Sequence, residues 1–282
     1  MDIRTLENIA INALYKSFAK AFFDYDMQLG STEFENMLKR RGFNPKLSFG
    51  AFDGEELVSF TLNGIGMFNG IKTAYDTGTG TWEDYRGQGL ATKIFEYSIP
   101  YLRIGGVKNY LLEVLQHNTK AFSVYQKLGF KITREFNYFI WDTNRMGENI
   151  IYDTNFQIQR LDDFQDDLLE PFWDFNPSWQ NSLDSIHRAK EHFTNLGVFK
   201  AEKLVGYCVF DAGSGDITQL AVDKAHRKNG IGSMLLREVG KLNCNTKTKL
   251  INADTACDSI VGFLKAKSIA ISGKQYEMIK EL

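Results

Sequence analysis

Thr79-Gly80-Thr81-Trp82-Glu83-Asp84-Tyr85-Arg86-Gly87-Gln88-Gly89-Leu90-Ala91 reads as the end of a strand, a tight polar turn and the first turn of an amphipathic helix. The helix is signalled by apolar residues at Leu90, Ile94, Phe95, Ile99 and Leu102, the spacing of one helical face. A strand that enters a helix through a Gly-rich turn gathers free backbone N–H groups and the positive end of the helix dipole at one spot, where an anion is stabilised. The glycines let the backbone approach such a ligand with no Cβ in the way, and Arg86 offers a planar charged fork to phosphate oxygens. Neither of the two common nucleotide motifs is present: no Lys-Ser/Thr follows the glycines, and there is no G-x-G-x-x-G.

The residues before this stretch supply its sheet. Leu47 to Phe52 and Leu57 to Ile65 carry a period of two and meet at Asp53-Gly54-Glu55, a hairpin signal; Asn69-Gly70 then turns the chain into a third strand from Ile71 towards Thr81. Gly78 and Gly80 inside that strand mark a bulge or the close approach of another group. Further upstream, Leu6, Ile9, Ala13, Tyr15, Phe18, Ala21 and Phe22 lay out one broad helical face. A second helix starts after Thr32, where Thr32-Glu33-Phe34-Glu35 has capping-box spacing. Downstream, Asn109 to Val114 form a short buried strand, Asn118 opens a helix, and Phe130 to Trp141 close the unit with strand-like residues. Pro100 removes a backbone donor from the helix after Arg86 and is expected to kink its last turn.

Asp142 to Asn149 is polar with one Gly and reads as a linker, which divides the chain into domains at 1–145 and 150–282. Beyond it the same grammar returns. Leu161, Phe164, Leu168 and Leu169 suggest a first helix, and Leu183, Ile186, Ala189 and Phe193 a second. Leu196 to Ala201 and Leu204 to Phe210 form a hairpin, followed by a strand from Asp216 to Val222. Then comes Arg227-Lys228-Asn229-Gly230-Ile231-Gly232, again opening a helix, 141 residues after its counterpart at Arg86. A repeat of that length is a whole domain rather than a solenoid unit. The aromatic run Phe172-Trp173-Phe175-Trp179 serves packing or lines a pocket.

Arg86-x-x-Gly89-x-Ala91 after a strand resembles the pyrophosphate-binding segment of the GNAT family, the acetyl-coenzyme A dependent N-acetyltransferases. Asn118, Ala121, Tyr125, Leu128, Gly129 and Phe130 follow in the order of that family's second block. The resemblance covers nearly the full chain and implies an α/β (α+β) protein of two tandem GNAT-like domains, each a mixed, mostly antiparallel twisted sheet flanked by helices. It also implies acetyl-coenzyme A as cofactor, held by Thr79, Thr81, Arg86, Gly87, Gln88, Gly89, Leu90, Ala91, Asn118 and Ala121. By the same resemblance Tyr125 is the general acid for the departing thiolate. A phenol of pKa ~10 suits a thiolate whose conjugate acid lies near ~8.5. An amine acceptor must lose a proton before or during attack, and Asp76 and Glu113 are the acidic residues on nearby strands, Glu113 being taken as the base. The second copy places Cys257 where Asn118 stands and Leu264 where Tyr125 stands, so the first domain is expected to be catalytic and the second degenerate and structural. The Pro that many family members carry three residues before the Arg is Glu83 here and Lys224 in the second copy.

The composition, 43% hydrophobic and 24% charged, is that of an ordinary globular protein, and a net charge of −2 gives no reason to expect nucleic acid as a partner. Cys208, Cys244 and Cys257 are odd in number and lack ligand-like spacing with the four histidines, so no metal site is expected. They read as reduced thiols in a cytoplasmic protein. No apolar run approaches the ~18 residues that span a bilayer, so no membrane partner is expected either. The reading is an acetyl-coenzyme A dependent N-acetyltransferase acting by direct attack of a primary amine, on a small molecule or a peptide. The alternative is a non-catalytic acyl-coenzyme A binding or regulatory protein on the same folds.

Overall fold

Val58, Phe60 and Leu62 on one face of a strand, and Ser59, Thr61 and Asn63 on the other, are all fully buried, because helices cover both sides of the sheet at that point. The computed structural model of the protein describes residues 1–25, 28–145 and 155–282, and they form two compact units. Met1–Thr133 with Tyr276–Leu282 make the first, and Arg134–Gln275 the second. Among the described residues no helix is long and apolar enough to cross a membrane.

The first unit runs β1 (Asp2–Thr5), α1 (Ile11–Ala21), α2 (Ser31–Arg41), β2 (Phe49–Asp53), β3 (Glu56–Phe68), β4 (Ile71–Thr81), α3 (Leu90–Ile104), β5 (Asn109–Leu115) and α4 (Thr119–Lys127). β1 to β4 form an antiparallel meander, and β5 pairs with β4 in parallel. The second unit contains β6 (Lys131–Asp142, from Arg134), β7 (Gln157–Leu161), α5 (Leu183–Arg188), β8 (Thr194–Lys200), β9 (Lys203–Asp211), β10 (Asp216–Val222), α6 (Ile231–Leu242), β11 (Lys247–Asp254) and α7 (Asp258–Ala266). β12 (Gly273–Glu281) completes the chain.

The first unit takes its sixth strand from the C-terminal end of the chain, and the second begins with β6, the strand that follows α4. The strand order is β1-β2-β3-β4-β5-β12 in the first and β6-β11-β10-β9-β8-β7 in the second. Met278 of β12 is fully buried in the core of Phe95, Tyr110, Leu112 and Phe130, and the Leu282 amide donates to the Lys108 carbonyl. β6 pairs antiparallel with β11, and its Phe139 and Trp141 enter the core of the second unit. The division therefore differs from one cut at a linker: pairing moves residues 134–142 into the second unit and 276–282 into the first. The expected linker, Asp142 to Asn149, lies in part outside the described residues.

Several local expectations change for identifiable reasons. The N-terminus is an edge strand, β1, and its helix begins only at Ile11; Leu6 is buried all the same, its amide bonded to the Ser48 carbonyl. α2 starts two residues earlier than its Thr32 signal, with Gly30 in place of Thr32 as its cap, because Glu33 reaches back to the Gly30 amide at 2.7 Å. In the second unit the apolar spacing from Leu161 to Leu169 makes no α-helix. Leu161 ends β7, and the rest forms 3₁₀ turns around Pro171, which has no N–H to extend a helix. α3 runs on through Pro100 to Ile104. Gly80 is required by packing: a Cβ there would lie 2.7 Å from the Phe60 ring and 3.0 Å from Ala21 on α1.

Candidate active site

Strand β4 is bulged at Thr77, where its register against β3 shifts between Leu62 and Asn63. Its parallel pairing with β5 ends at Tyr75–Leu111, so Asp76 is the first residue beyond the pairing, where the two strands part. Past that point, among the described residues, the edge of β4 towards β5 has no strand partner. The chain then crosses the Arg86 turn into α3. Gly87 and Gly89 both have left-handed φ, 78° and 72°, and a Cβ on either would meet nothing within 4 Å, which leaves the turn open to a ligand. No side chain caps α3, and Lys93 is the first residue to bond back, to the Gly89 carbonyl. The amides of Leu90, Ala91 and Thr92 thus lack intrahelical acceptors, as the first turn of a helix leaves them.

Arg86 does not reach outward from this turn. Its Nε donates to the Thr81 carbonyl (3.2 Å), Nη1 to Asp24 Oδ2 (2.7 Å), and Nη2 to Asp24 Oδ1 and the Ala21 carbonyl (both 2.9 Å). Four of the five guanidinium N–H groups are engaged, so the side chain ties the turn to the end of α1. The hydrogen bond from Arg86 holds the Asp24 carboxyl below its ordinary value. The second unit repeats the arrangement: Arg227 donates from Nε to the Val222 carbonyl and from Nη2 to Asp174. Asp24 and Asp174 carry no sequence signal, since each lies more than fifty residues from its arginine and belongs to no periodic pattern.

The remaining expected residues gather on one side of the sheet. Thr81 Oγ1 bonds to Ser59 (2.7 Å), and Thr79 Oγ1 bonds to Thr61 (3.2 Å) and to Asp76 Oδ2 (2.9 Å). Tyr125, on α4, donates to the same Asp76 oxygen at 3.1 Å and packs edge-on against Phe95 and Phe130. Asn118 caps α4 by accepting from the Ala121 amide, and its Nδ2 lies 3.4 Å from the Tyr25 hydroxyl. Gln88 is exposed on the turn, whereas the Leu90 side chain is buried in the core and only its backbone faces the site. Glu113, on β5, hydrogen-bonds Tyr75, the residue before Asp76 on β4.

Asp76 is the electrostatic centre of the group. Burial pushes its carboxyl up to about 6, against the hydrogen bonds from Thr79, Tyr125 and the Gly78 amide and the nearby charge of Arg41. Its second oxygen is buried without a hydrogen-bond partner of good geometry. Tyr125 is pushed well above its ordinary value by burial and by the adjacent carboxylate.

The second unit keeps the scaffold with apolar residues at the two positions equivalent to Asp76 and Tyr125. β10 is bulged at Thr218, 141 residues after Thr77, and its pairing with β11 ends at Ile217–Leu250. The Lys228 and Gly230 φ angles, 65° and 84°, reproduce those of Gly87 and Gly89, and α6 is likewise uncapped. Ile217 stands where the first copy has Asp76, and Leu264, fully buried, occupies the position in α7 that Tyr125 occupies in α4. Between the parted strands and the two helices lies a cavity of about 660 Å³, lined by residues that include Leu220, Ile231, Cys257 and Phe263. Phe172, Trp173 and Phe175 of the aromatic run also line it, while Trp179 is buried.

Comparison with known proteins gives two matching family models. Residues 11–130 match the acetyltransferase (GNAT) family, and residues 194–267 a second acetyltransferase (GNAT) domain. The chain is similar to N-alpha-acetyltransferase 30 of Schizosaccharomyces pombe, 28% identical over 102 residues, which is 36% of this chain and 68% of that protein. Among solved structures it is similar to a GCN5-related N-acetyltransferase from Sphaerobacter thermophilus, at a TM-score of 0.72 and 14% identity over 99% of this chain and 95% of the other. A tandem GNAT protein from the clavulanic acid biosynthesis pathway matches at a TM-score of 0.75 and 12% identity, covering 99% and 98%.

Proposed function

Because the chain belongs to the GNAT acetyltransferase family, with two such domains in tandem, we propose that its first unit transfers an acyl group from acyl-coenzyme A to a primary amine. The observation that carries this reading is the Tyr125 hydroxyl, brought by α4 to the place where β4 and β5 part, in the same unit as the uncapped first turn of α3. The open glycines at 87 and 89 and the free amides of Leu90 to Thr92 fit a pyrophosphate, with Arg86 and Asp24 fixing the turn that presents them. Bound acyl-coenzyme A would supply a thioester carbonyl and a thiolate leaving group. The unpaired edge of β4 beyond Tyr75 offers backbone N–H and C=O groups to an extended chain, as an added strand would use them. Tyr125 holds a proton at Oη for the leaving sulfur. Mixing the protein with acetyl-coenzyme A and a panel of small amines and short peptides, and reading free thiol, tests the reading; a folded protein that releases no thiol above the blank with any acceptor overturns it. The similarity to an N-alpha-acetyltransferase makes peptide N-termini the first acceptors to assay.

For the second unit a specific observation favours binding without turnover. It has the same turn, an uncapped α6 and a cavity of about 660 Å³, yet Ile217 and Leu264 carry no ionisable group where Asp76 and Tyr125 stand. A site with no donor to the leaving thiolate gives no acid catalysis, however well a coenzyme sits. Calorimetric titration with coenzyme A shows a second binding event weakened in Arg227→Ala if this reading holds; a single event unaffected by that change refutes it.

A further inference from the structure

A base and an acid in one active site normally face different reacting atoms and are reset separately by solvent. In the first unit the two groups are in direct contact: Tyr125 Oη lies 3.1 Å from Asp76 Oδ2, and the carboxylate is fixed by Thr79 at 2.9 Å. Asp76 sits at the bulge and is the first residue past the end of the β4–β5 pairing, and it is the carboxylate hydrogen-bonded to Tyr125. We propose that Asp76 is the base for the attacking amine and that its hydrogen bond to Tyr125 returns the proton to the acid, so that one proton passes from nitrogen to sulfur through two side chains without entering solvent. The inference rests on the acyl-transfer reading given above.

The balance is as follows. As the C–N bond forms, the amine nitrogen gives one proton to Asp76. As the C–S bond breaks, Tyr125 gives its hydroxyl proton to sulfur. The Asp76 proton then crosses to the tyrosinate oxygen, and both side chains are back in their starting states. An acceptor that arrives as an ammonium ion loses its additional proton to water before attack.

The contact also sets the order of events. While Asp76 is charged it disfavours the tyrosinate, and Tyr125 is a poor acid. Once Asp76 has taken the proton from nitrogen, the neutral carboxyl donates to the tyrosine oxygen and the penalty on losing the Tyr125 proton disappears. The base thereby switches on the acid only after attack has begun, which protects the thioester from premature loss of its leaving group. The groups that face Asp76 are consistent with this duty. Thr79 on β4 and Tyr125 on α4 hydrogen-bond it, Tyr110 on β5 and Arg41 on α2 interact with it electrostatically, and Arg41 alone is charged among these at neutral pH. The carboxyl, held at about 6, is mostly ionised at neutral pH yet basic enough to accept a proton.

The test uses the full chain, with Asp76→Asn, Asp76→Glu and Tyr125→Phe. In the apoprotein, with tyrosine labelled at Cζ and the Tyr125 signal assigned by its loss in Tyr125→Phe, the phenol should titrate at lower pH in Asp76→Asn than in the parent. In turnover, the parent should show an acid limb in kcat as Asp76 is protonated, and Asp76→Asn should lose that limb together with about 10²-fold of kcat at unchanged coenzyme A affinity. Asp76→Glu should restore part of both. An Asp76→Asn protein that melts like the parent, keeps the acid limb and turns over within threefold of it overturns the inference while leaving acyl transfer standing. So does an unshifted Tyr125 titration. Absence of thiol release from the parent itself overturns the acyl-transfer reading, and the inference with it.

Discussion

Replacing Asp76 by Asn should make the protein more stable at neutral pH while it slows catalysis. The carboxyl is buried, and its value in the folded state is raised from 3.8 to about 6. At ~1.36 kcal/mol for each unit of pKa, holding it ionised costs the folded state about 3 kcal/mol at pH 7. The sign follows from linkage. A carboxyl with a raised folded value binds its proton more tightly when folded, so the parent gains stability as pH falls from 6 towards 3.8 and carries the full cost above 6. Asn preserves an acceptor for the Thr79 and Tyr125 hydroxyls, but its amide would replace the carboxylate oxygen that has no partner of good geometry, and burying that donor costs back about 1–2 kcal/mol. The net expectation is a gain of about 1–2 kcal/mol at pH 7.5 that shrinks steadily between pH 6 and pH 4.5. Urea denaturation of both proteins at pH 4.5, 5.5, 6.5 and 7.5 measures it. A loss of stability at pH 7.5, or a difference independent of pH, would refute the claim that burial of charge governs this residue.

Tyr125→Phe should lower turnover by about 10²-fold with coenzyme A affinity nearly unchanged, because only the proton donor is removed; equal rates in a pre-steady-state assay would return Tyr125 to a packing role. Arg86→Ala and Asp24→Asn should weaken coenzyme A binding to a similar extent, about 3- to 10-fold, since both release the same turn. Stronger binding in Asp24→Asn would mean that a freed Arg86 grips the phosphate directly. Arg227→Ala should leave acyl transfer largely intact while Arg86→Ala lowers it at sub-saturating coenzyme; the reverse ranking in two proteins of parental stability would place the active site in the second unit. Met278→Ala should cost about 2–5 kcal/mol, the range for emptying a fully buried site, and equilibrium denaturation followed through the first-unit tryptophan Trp82 reads it.

How much of this was legible in the sequence depends on the distance over which each signal acts. Strands β3 and β4 and the turn into α3 are announced by neighbours in the chain: alternation, Asn69-Gly70, and glycines at the two positions of positive φ. Asn118 is legible as the start of a helix, a local pattern, whereas Tyr125 stands out only through the resemblance to the family's second block. The 3₁₀ segment around Pro171 was misleading, since apolar spacing over nine residues cannot say whether a proline will end the helix it describes. Edge strand β1, four residues long, is too short to display a period at all.

The sequence alone determined two repeats of one architecture, the glycine turns at Arg86 and Arg227, and the loss of the tyrosine from the second copy, because each is written in residues close together or at a fixed offset. Tertiary structure decided what those residues do. It turned Arg86 inward to Asp24, brought Tyr125 onto Asp76 across 49 residues of chain, and drew Glu113 to Tyr75. It also gave the first unit a strand from the C-terminal end of the chain, β12, and put β6 with the strands that follow it. The physical reason is common to all four. Partners separated by tens of residues are selected by burial and by the need to satisfy polar groups once the chain is compact, and neither demand leaves a pattern among neighbours in sequence.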